Sequence, residues 1–293
     1  MLSPSDLEHF REHGYVTVRG FLSPSEVARA QAAFDALAGG ALPIPGKDRG
    51  EHTPGLLNVT AFSLYHPLPS LSPFDEADAR AAALTAQLYE GGAPMARDYE
   101  QLLRKLPHRA TCTFPPHQDM HYWPKRADGN TEEWDTRTAT VSVAINAASQ
   151  QNGCLWVLPG SHRARALYPG CVSRIVEGRP SGGGIISLAL LPEDEPKRVF
   201  LELAPGDATV HDEWIVHGSE GNGADAPRDT LILAYRAVSM IAKERREGFR
   251  HSCVFRAPNA APARRAPQLQ RQHPQHLTLT RAPPPHTHPA QLQ

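Results

Sequence analysis

Between residues 138 and 238 the chain breaks into short apolar segments closed by turns, at 138–145, 185–190, 199–203, 208–211, 214–216 and 230–238. The first alternates as Thr-Ala-Thr-Val-Ser-Val-Ala-Ile, which has the period and the β-branched content of a strand. A late series of short strands separated by turns indicates a sandwich or barrel rather than a parallel α/β sheet. The fold class it implies is α+β, mainly β: a jelly roll with helices packed outside.

The helices come first. Ser3-Pro4-Ser5-Asp6 offers a cap ahead of Leu7 and Phe10, and His13-Gly14 ends that helix before a strand at Tyr15-Val16-Thr17-Val18. Ser23-Pro24-Ser25-Glu26 reads as a second cap with a boxing Glu, followed by Val27, Ala30, Ala33, Phe34 and Leu37 at helical spacing. Residues 41–72 are rich in Pro, Gly and Ser and read as a surface wrap, and the Ala-rich stretch 77–89 reads as helix. Residues 99–106 and 110–114 read as paired strands, and 163–184 as an irregular excursion ending in Gly182-Gly183-Gly184.

Beyond Arg256 the composition shifts to Pro, Gln, His, Ala and Arg without aliphatic periodicity, so residues 1–255 are expected to form the domain and 256–293 a disordered tail. A net charge of -1 leaves no basic stripe for nucleic acid or for an anionic membrane, so a small-molecule partner is expected. Nothing in the sequence specifies an oligomeric state. The four cysteines have no CxxC spacing and follow no signal peptide, and no apolar run approaches a membrane span. Reduced thiols and a cytoplasmic location are the expectation.

Chemistry concentrates at two short matches. In an extended strand residues two apart share a face, so His117-Gln118-Asp119 would aim an imidazole and a carboxylate at one point. That is two thirds of the two-histidine, one-carboxylate set that holds non-heme Fe(II) with positions left open. A second match, His211-Asp212-Glu213, has the same parity as His217. With 15 histidines in the chain, spacing alone does not choose between the two.

Four blocks together are more specific: His117-Gln118-Asp119-Met120-His121-Tyr122-Trp123; residues 152–162, Asn-Gly-Cys-Leu-Trp-Val-Leu-Pro-Gly-Ser-His; Pro205-Gly206-Asp207; and His217-Gly218-Ser219 followed by Arg228. In this order they resemble the phytanoyl-CoA dioxygenase family of iron and 2-oxoglutarate enzymes. Residues 10–15 and 20–23 are similar to that family's opening.

The resemblance implies a cupin-like double-stranded β-helix in which His117, Asp119 and His217 bind Fe(II). It places Arg228 and Ser219 on the distal carboxylate of 2-oxoglutarate, and a guanidinium suits a buried carboxylate because it is a permanent cation with a two-pronged donor set. Gln101 matches a position that contacts 2-oxoglutarate in relatives, with an exposed strand residue as the alternative. His121 and Trp123, at the same parity as the metal pair, are expected to line the substrate pocket, with ordinary packing as the alternative.

The implied reaction takes O2 and 2-oxoglutarate to succinate and CO2 with hydroxylation of a small organic molecule, an amino acid or a specialised metabolite, ascorbate serving as supporting reductant. Desaturation, cyclisation and epoxidation draw on the same oxidant. Two other readings make different demands. A non-catalytic protein binding metal and 2-oxoglutarate would consume no oxygen, and a cupin-like hydrolase or isomerase would need neither 2-oxoglutarate nor Arg228. Ser142 stands where many relatives carry Trp.

Overall fold

The structure is a computed structural model that describes residues 1–39, 41, 48–50, 56–60, 72–89, 92, 94–121, 137–169, 172–175 and 185–246. In chain order these form α1 (Pro4–His13), β1 (Tyr15–Val18), α2 (Pro24–Ala38), β2 (Asp48–Gly50), β3 (Leu56–Thr60), α3 (Ser72–Thr85), β4 (Met95–Lys105) and β5 (Phe114–His117). Then follow β6 (Thr138–Ala144), β7 (Leu155–Leu158), β8 (Val172–Ile175), β9 (Ile185–Leu188), β10 (Val199–Phe200), β11 (Ala208–Asp212), β12 (Val216–Ser219), β13 (Arg228–Ala237) and α4 (Val238–Arg246).

The strands pair antiparallel into a large sheet, β1-β11-β6-β13-β4-β3-β2, a smaller one, β10-β7-β12-β5, and a β8-β9 hairpin. This is the double-stranded β-helix that the sequence implies. Its polarity follows from alternation. Along β6, Ala139, Val141 and Val143 face a core shared with Phe10, Ala30, Phe34, Ala81 and Leu84 of the first three helices. Thr138, Thr140 and Ser142, at the other parity, are buried on the inner face. Helices thus cover the apolar outside, and the polar residues line the interior.

Both anticipated helix caps form. Asp6 N donates to Ser3 Oγ and Ser3 N to Asp6 Oδ2, and Glu26 with Ser23 repeats the arrangement. Gly14 closes α1 at φ 83°, and a Cβ there would lie 2.5 Å from His162 Nδ1, so glycine is required on both counts.

Several expectations change. β4 and the segment at 110–114 do not pair: β4 lies between β13 and β3, and β5 pairs with β12. Pro115 and Pro116 lack N–H donors, which confines β5 to the edge of its sheet. The stretch 41–72 contributes β2 and β3 to the edge of the large sheet, and the excursion contains β8. Trp214 and Ile215 lie in a turn, because Trp214 N donates to Asp212 Oδ1 and Ile215 N to the Asp212 carbonyl. The tail, the Gly182–Gly184 run and Trp123 lie outside the described residues. Cys112 and Cys154 are free and buried. Among the described residues no helix is long and apolar enough to cross a membrane.

Candidate metal centre and co-substrate pocket

β5 and β12 pair with His117 directly opposite His217, and the two rings stand 4.2 Å apart between centroids. Each ring is fixed by its own strand. His117 Nδ1 lies 2.9 Å from the Pro115 carbonyl and His217 Nδ1 3.0 Å from that of Ile215. A carbonyl only accepts, so Nδ1–H donates in both rings and each Nε2 keeps its lone pair.

Both Nε2 atoms are 3.6 Å from Asp119 Oδ1. Among the described residues these three form a metal-capable group, with ligand atoms all within 4.8 Å of one another. Atoms bound about 2.1 Å from one ion at right angles stand about 3 Å apart, so a small inward movement closes the site. Two imidazoles and one carboxylate with open positions suit non-heme Fe(II).

Asp119 arrives by a different route from the one parity predicts. β5 stops at His117, and Asp119 opens a 3-10 turn, Asp119–His121. Gln118 clamps the junction: its Nε2 donates to the Trp214 and Ala166 carbonyls, and its Oε1 accepts from Tyr168 N. The carboxylate is then divided. Oδ1 faces the histidines, while Oδ2 accepts from Thr140 Oγ1 at 2.7 Å and lies 3.7 Å from His211 Nε2. Burial opposes ionisation of Asp119, but His217, His117 and His211 outweigh it and hold its carboxyl well below the usual range. Burial and His117 push His217 well below an ordinary imidazole, with Asp119 opposing.

The rival trio of His211, Glu213 and His217 does not assemble. His211 sits on β11 opposite Thr140, behind Asp119. Glu213 lies beyond the end of β11, and burial together with Asp212 raises its carboxyl well above the usual range. His121 shares no strand face with His117, because the strand has ended. It is half-buried on the 3-10 turn with Nδ1 3.3 Å from the Gln118 carbonyl.

Arg228 begins β13 and is paired in register with Lys105 of β4. Arg228 is buried, its Nε has no hydrogen-bond partner, and burial pushes its guanidinium down to about 10. Ser219, at the end of β12, accepts a hydrogen bond from Lys105 Nζ at 2.7 Å. Gln101 is four residues from Lys105 on the same strand face and is only 7% exposed, which removes the exposed-strand alternative. One row of the large sheet runs Gln101, Ile232, Ser142, Thr209 across four strands. Thr140 and Gln118, which hold Asp119 and its turn, and Lys105, registered opposite Arg228, are residues the sequence did not single out. Lys105 alone carried a signal, its parity with Gln101.

An antiparallel double-stranded β-helix with two histidines and an aspartate converging inside it has the arrangement of a candidate mononuclear metal site. Residues 10–230 match the family model described as phytanoyl-CoA dioxygenase. The chain belongs to that family and is, with it, an oxygenase of the oxidoreductase class. It is 24% identical over 273 residues to an ectoine dioxygenase of Streptomyces anulatus, covering 90% of this chain and 84% of that protein. It is also 24% identical over 251 residues to the peroxisomal phytanoyl-CoA dioxygenase of Rattus norvegicus, covering 80% and 68%. The fold is shared with EvdO2 from Micromonospora carbonacea var. aurantiaca, crystallised with 2-oxoglutarate, at a TM-score of 0.62 and 24% identity over 81% of this chain and 92% of that one.

Proposed function

We propose that this chain, through residues 1–255, is an Fe(II)- and 2-oxoglutarate-dependent dioxygenase that hydroxylates a small organic molecule and converts 2-oxoglutarate to succinate and CO2. The observation that carries the proposal is the convergence of His117 Nε2, His217 Nε2 and Asp119 Oδ1 on one point. In this reading these atoms hold iron, which supplies the redox chemistry coupling oxygen to decarboxylation and substrate oxidation.

The chain's own residues do the placing. His117 and His217 present lone pairs because their Nδ1 protons are committed to backbone carbonyls. Thr140 keeps Asp119 Oδ2 occupied, so the carboxylate offers one oxygen to the metal. In this reading Arg228 receives the far carboxylate of 2-oxoglutarate, with Ser219 held beside that rung by Lys105 and Gln101 four residues further along the inner face of β4, and the keto-acid end turned toward the metal. His121, two residues beyond Asp119 on its 3-10 turn, and Trp123 are proposed for the substrate side on the family resemblance, since strand parity no longer places them. Asp119 fills its ligand position with a carboxylate, which favours hydroxylation over halogenation.

The test is turnover. Purified protein given Fe(II), ascorbate and 2-oxoglutarate is expected to form succinate and to consume oxygen, with a burst when the right substrate is added, and Asp119→Ala is expected to do neither. Binding of 2-oxoglutarate without oxygen consumption would leave the non-catalytic reading standing. Turnover independent of 2-oxoglutarate and Arg228 would favour a hydrolase or isomerase.

A further inference from the structure

Lys105 is fully buried, yet among the described residues no carboxylate lies within ion-pair distance of it. Its Nζ donates to Ser219 Oγ at 2.7 Å and to the Glu220 carbonyl. An ammonium has three N–H donors, so one is left without an acceptor among the described residues. The carboxylate of Glu220 is engaged by Arg198 at 2.7 Å.

The residue registered opposite Lys105 is Arg228, a second buried cation whose side chain makes no hydrogen bond among the described residues. Two buried cations side by side without an acid repel each other and lose their hydration. Burial, and then Arg228, accordingly depress Lys105 well below an ordinary lysine. Such an arrangement is unfavourable in the empty protein and is relieved by an anion.

Ser219 adds a direction. Because Lys105 donates to Ser219 Oγ, the hydroxyl proton of Ser219 is not needed for that contact and is available to a different acceptor. Arg228 and the third N–H of Lys105 from the large sheet, and the Ser219 hydroxyl from the smaller one, then make three donors in the interior between them.

We propose that Lys105 is the second cation of the co-substrate site, receiving the distal carboxylate of 2-oxoglutarate together with Arg228 and orienting Ser219 as a further donor to it. This rests on the functional reading above. It also sets a specificity: the pair demands a 2-oxo acid with a second carboxylate and rejects one of equal chain length without it.

Calorimetry on the metal-loaded full chain, with 2-oxoglutarate and with 2-oxovalerate as probes, tests this. Lys105→Met is expected to weaken 2-oxoglutarate about tenfold to a hundredfold while leaving the already weak 2-oxovalerate unchanged. Lys105→Gln, which keeps an N–H for Ser219 without the charge, is expected to fall between. Without ligand, the Lys105→Met chain is expected to melt no lower than wild type, and its melting shift on adding 2-oxoglutarate is expected to shrink. A Lys105→Met chain that binds 2-oxoglutarate normally, loses both ligands equally, or melts well below wild type when empty overturns the proposal. Failure of the wild-type chain itself to bind 2-oxoglutarate would sink the functional reading and this inference with it.

Discussion

Two consecutive rungs of the β4–β13 ladder carry cations and resolve them in opposite ways. On one, Arg104 faces Asp229 and points out to the helix layer. It donates to both Asp229 oxygens at 2.7 Å and to Asp35 of α2 at 2.6 Å, while Gln31 of α2 donates to Asp229 as well. The Asp229 bonds raise the Arg104 pKa against the opposing effect of burial. On the next rung, Lys105 faces Arg228 and points inward, where among the described residues neither has a carboxylate partner. A step of one residue exchanges the faces of a strand. The outer rung is closed by the protein's own acids and serves the fold; the inner one is left open, which is what a site for an anionic ligand requires.

The largest effect is expected at the metal. Asp119→Ala removes the carboxylate proposed as the anionic metal ligand, and succinate formation should fall below detection, as chromatographic assay will show. The two rungs should then separate cleanly. Arg228→Met is expected to weaken 2-oxoglutarate binding by about 2–5 kcal/mol with little loss of fold stability. Arg104→Met is expected to cost about 3–5 kcal/mol of stability, because it strands the buried Asp229, and to leave the 2-oxoglutarate dissociation constant nearly unchanged. Denaturant melts and ligand titrations on both variants check the crossing.

Smaller still is Thr140→Val, which removes the donor to Asp119 Oδ2 and should weaken Fe(II) binding about tenfold to a hundredfold in a metal competition assay. Asp207 supplies the mildest case, again an acid closed by the protein itself. Burial opposes its ionisation, but Gly20 N–H, Arg19 and Ala204 N–H prevail and depress its pKa below the ordinary 3.8. A depressed carboxyl contributes stability above its unfolded pKa and loses it as pH falls through the folded value. Melting temperature should therefore drop below about pH 4, and Asp207→Asn should flatten part of that drop.

Much of this was legible in residue order. The alternation at 138–145 gives β6 with its faces correctly divided, both capping boxes form as spelled, and His117, Asp119 and His217 meet. What parity misjudged was the means. Pro115 and Pro116 make β5 a short edge strand, so Asp119 is brought in by a 3-10 turn that Gln118 braces, and His121 is carried off the face on which strand geometry had put it. His211 lies beside the candidate site because β11 runs past Thr140: Thr140 bonds Asp119 Oδ2, and from the same rung His211 Nε2 stands 3.7 Å from that oxygen. Such a contact is made between strands some seventy residues apart, and no local pattern encodes it. The same holds for Lys105, which looks like any strand lysine until Arg228 is registered against it.

The central claim is that a metal at His117, Asp119 and His217 and the open rung at Arg228 share one 2-oxoglutarate. Anaerobic titration of the Fe(II)-loaded chain with 2-oxoglutarate, followed through the weak visible charge-transfer band, tests both halves together. The band should appear in wild type, require much more 2-oxoglutarate in Arg228→Met, be unaffected in Arg104→Met, and be absent in Asp119→Ala. No band in wild type, or one whose midpoint ignores Arg228, would contradict the account.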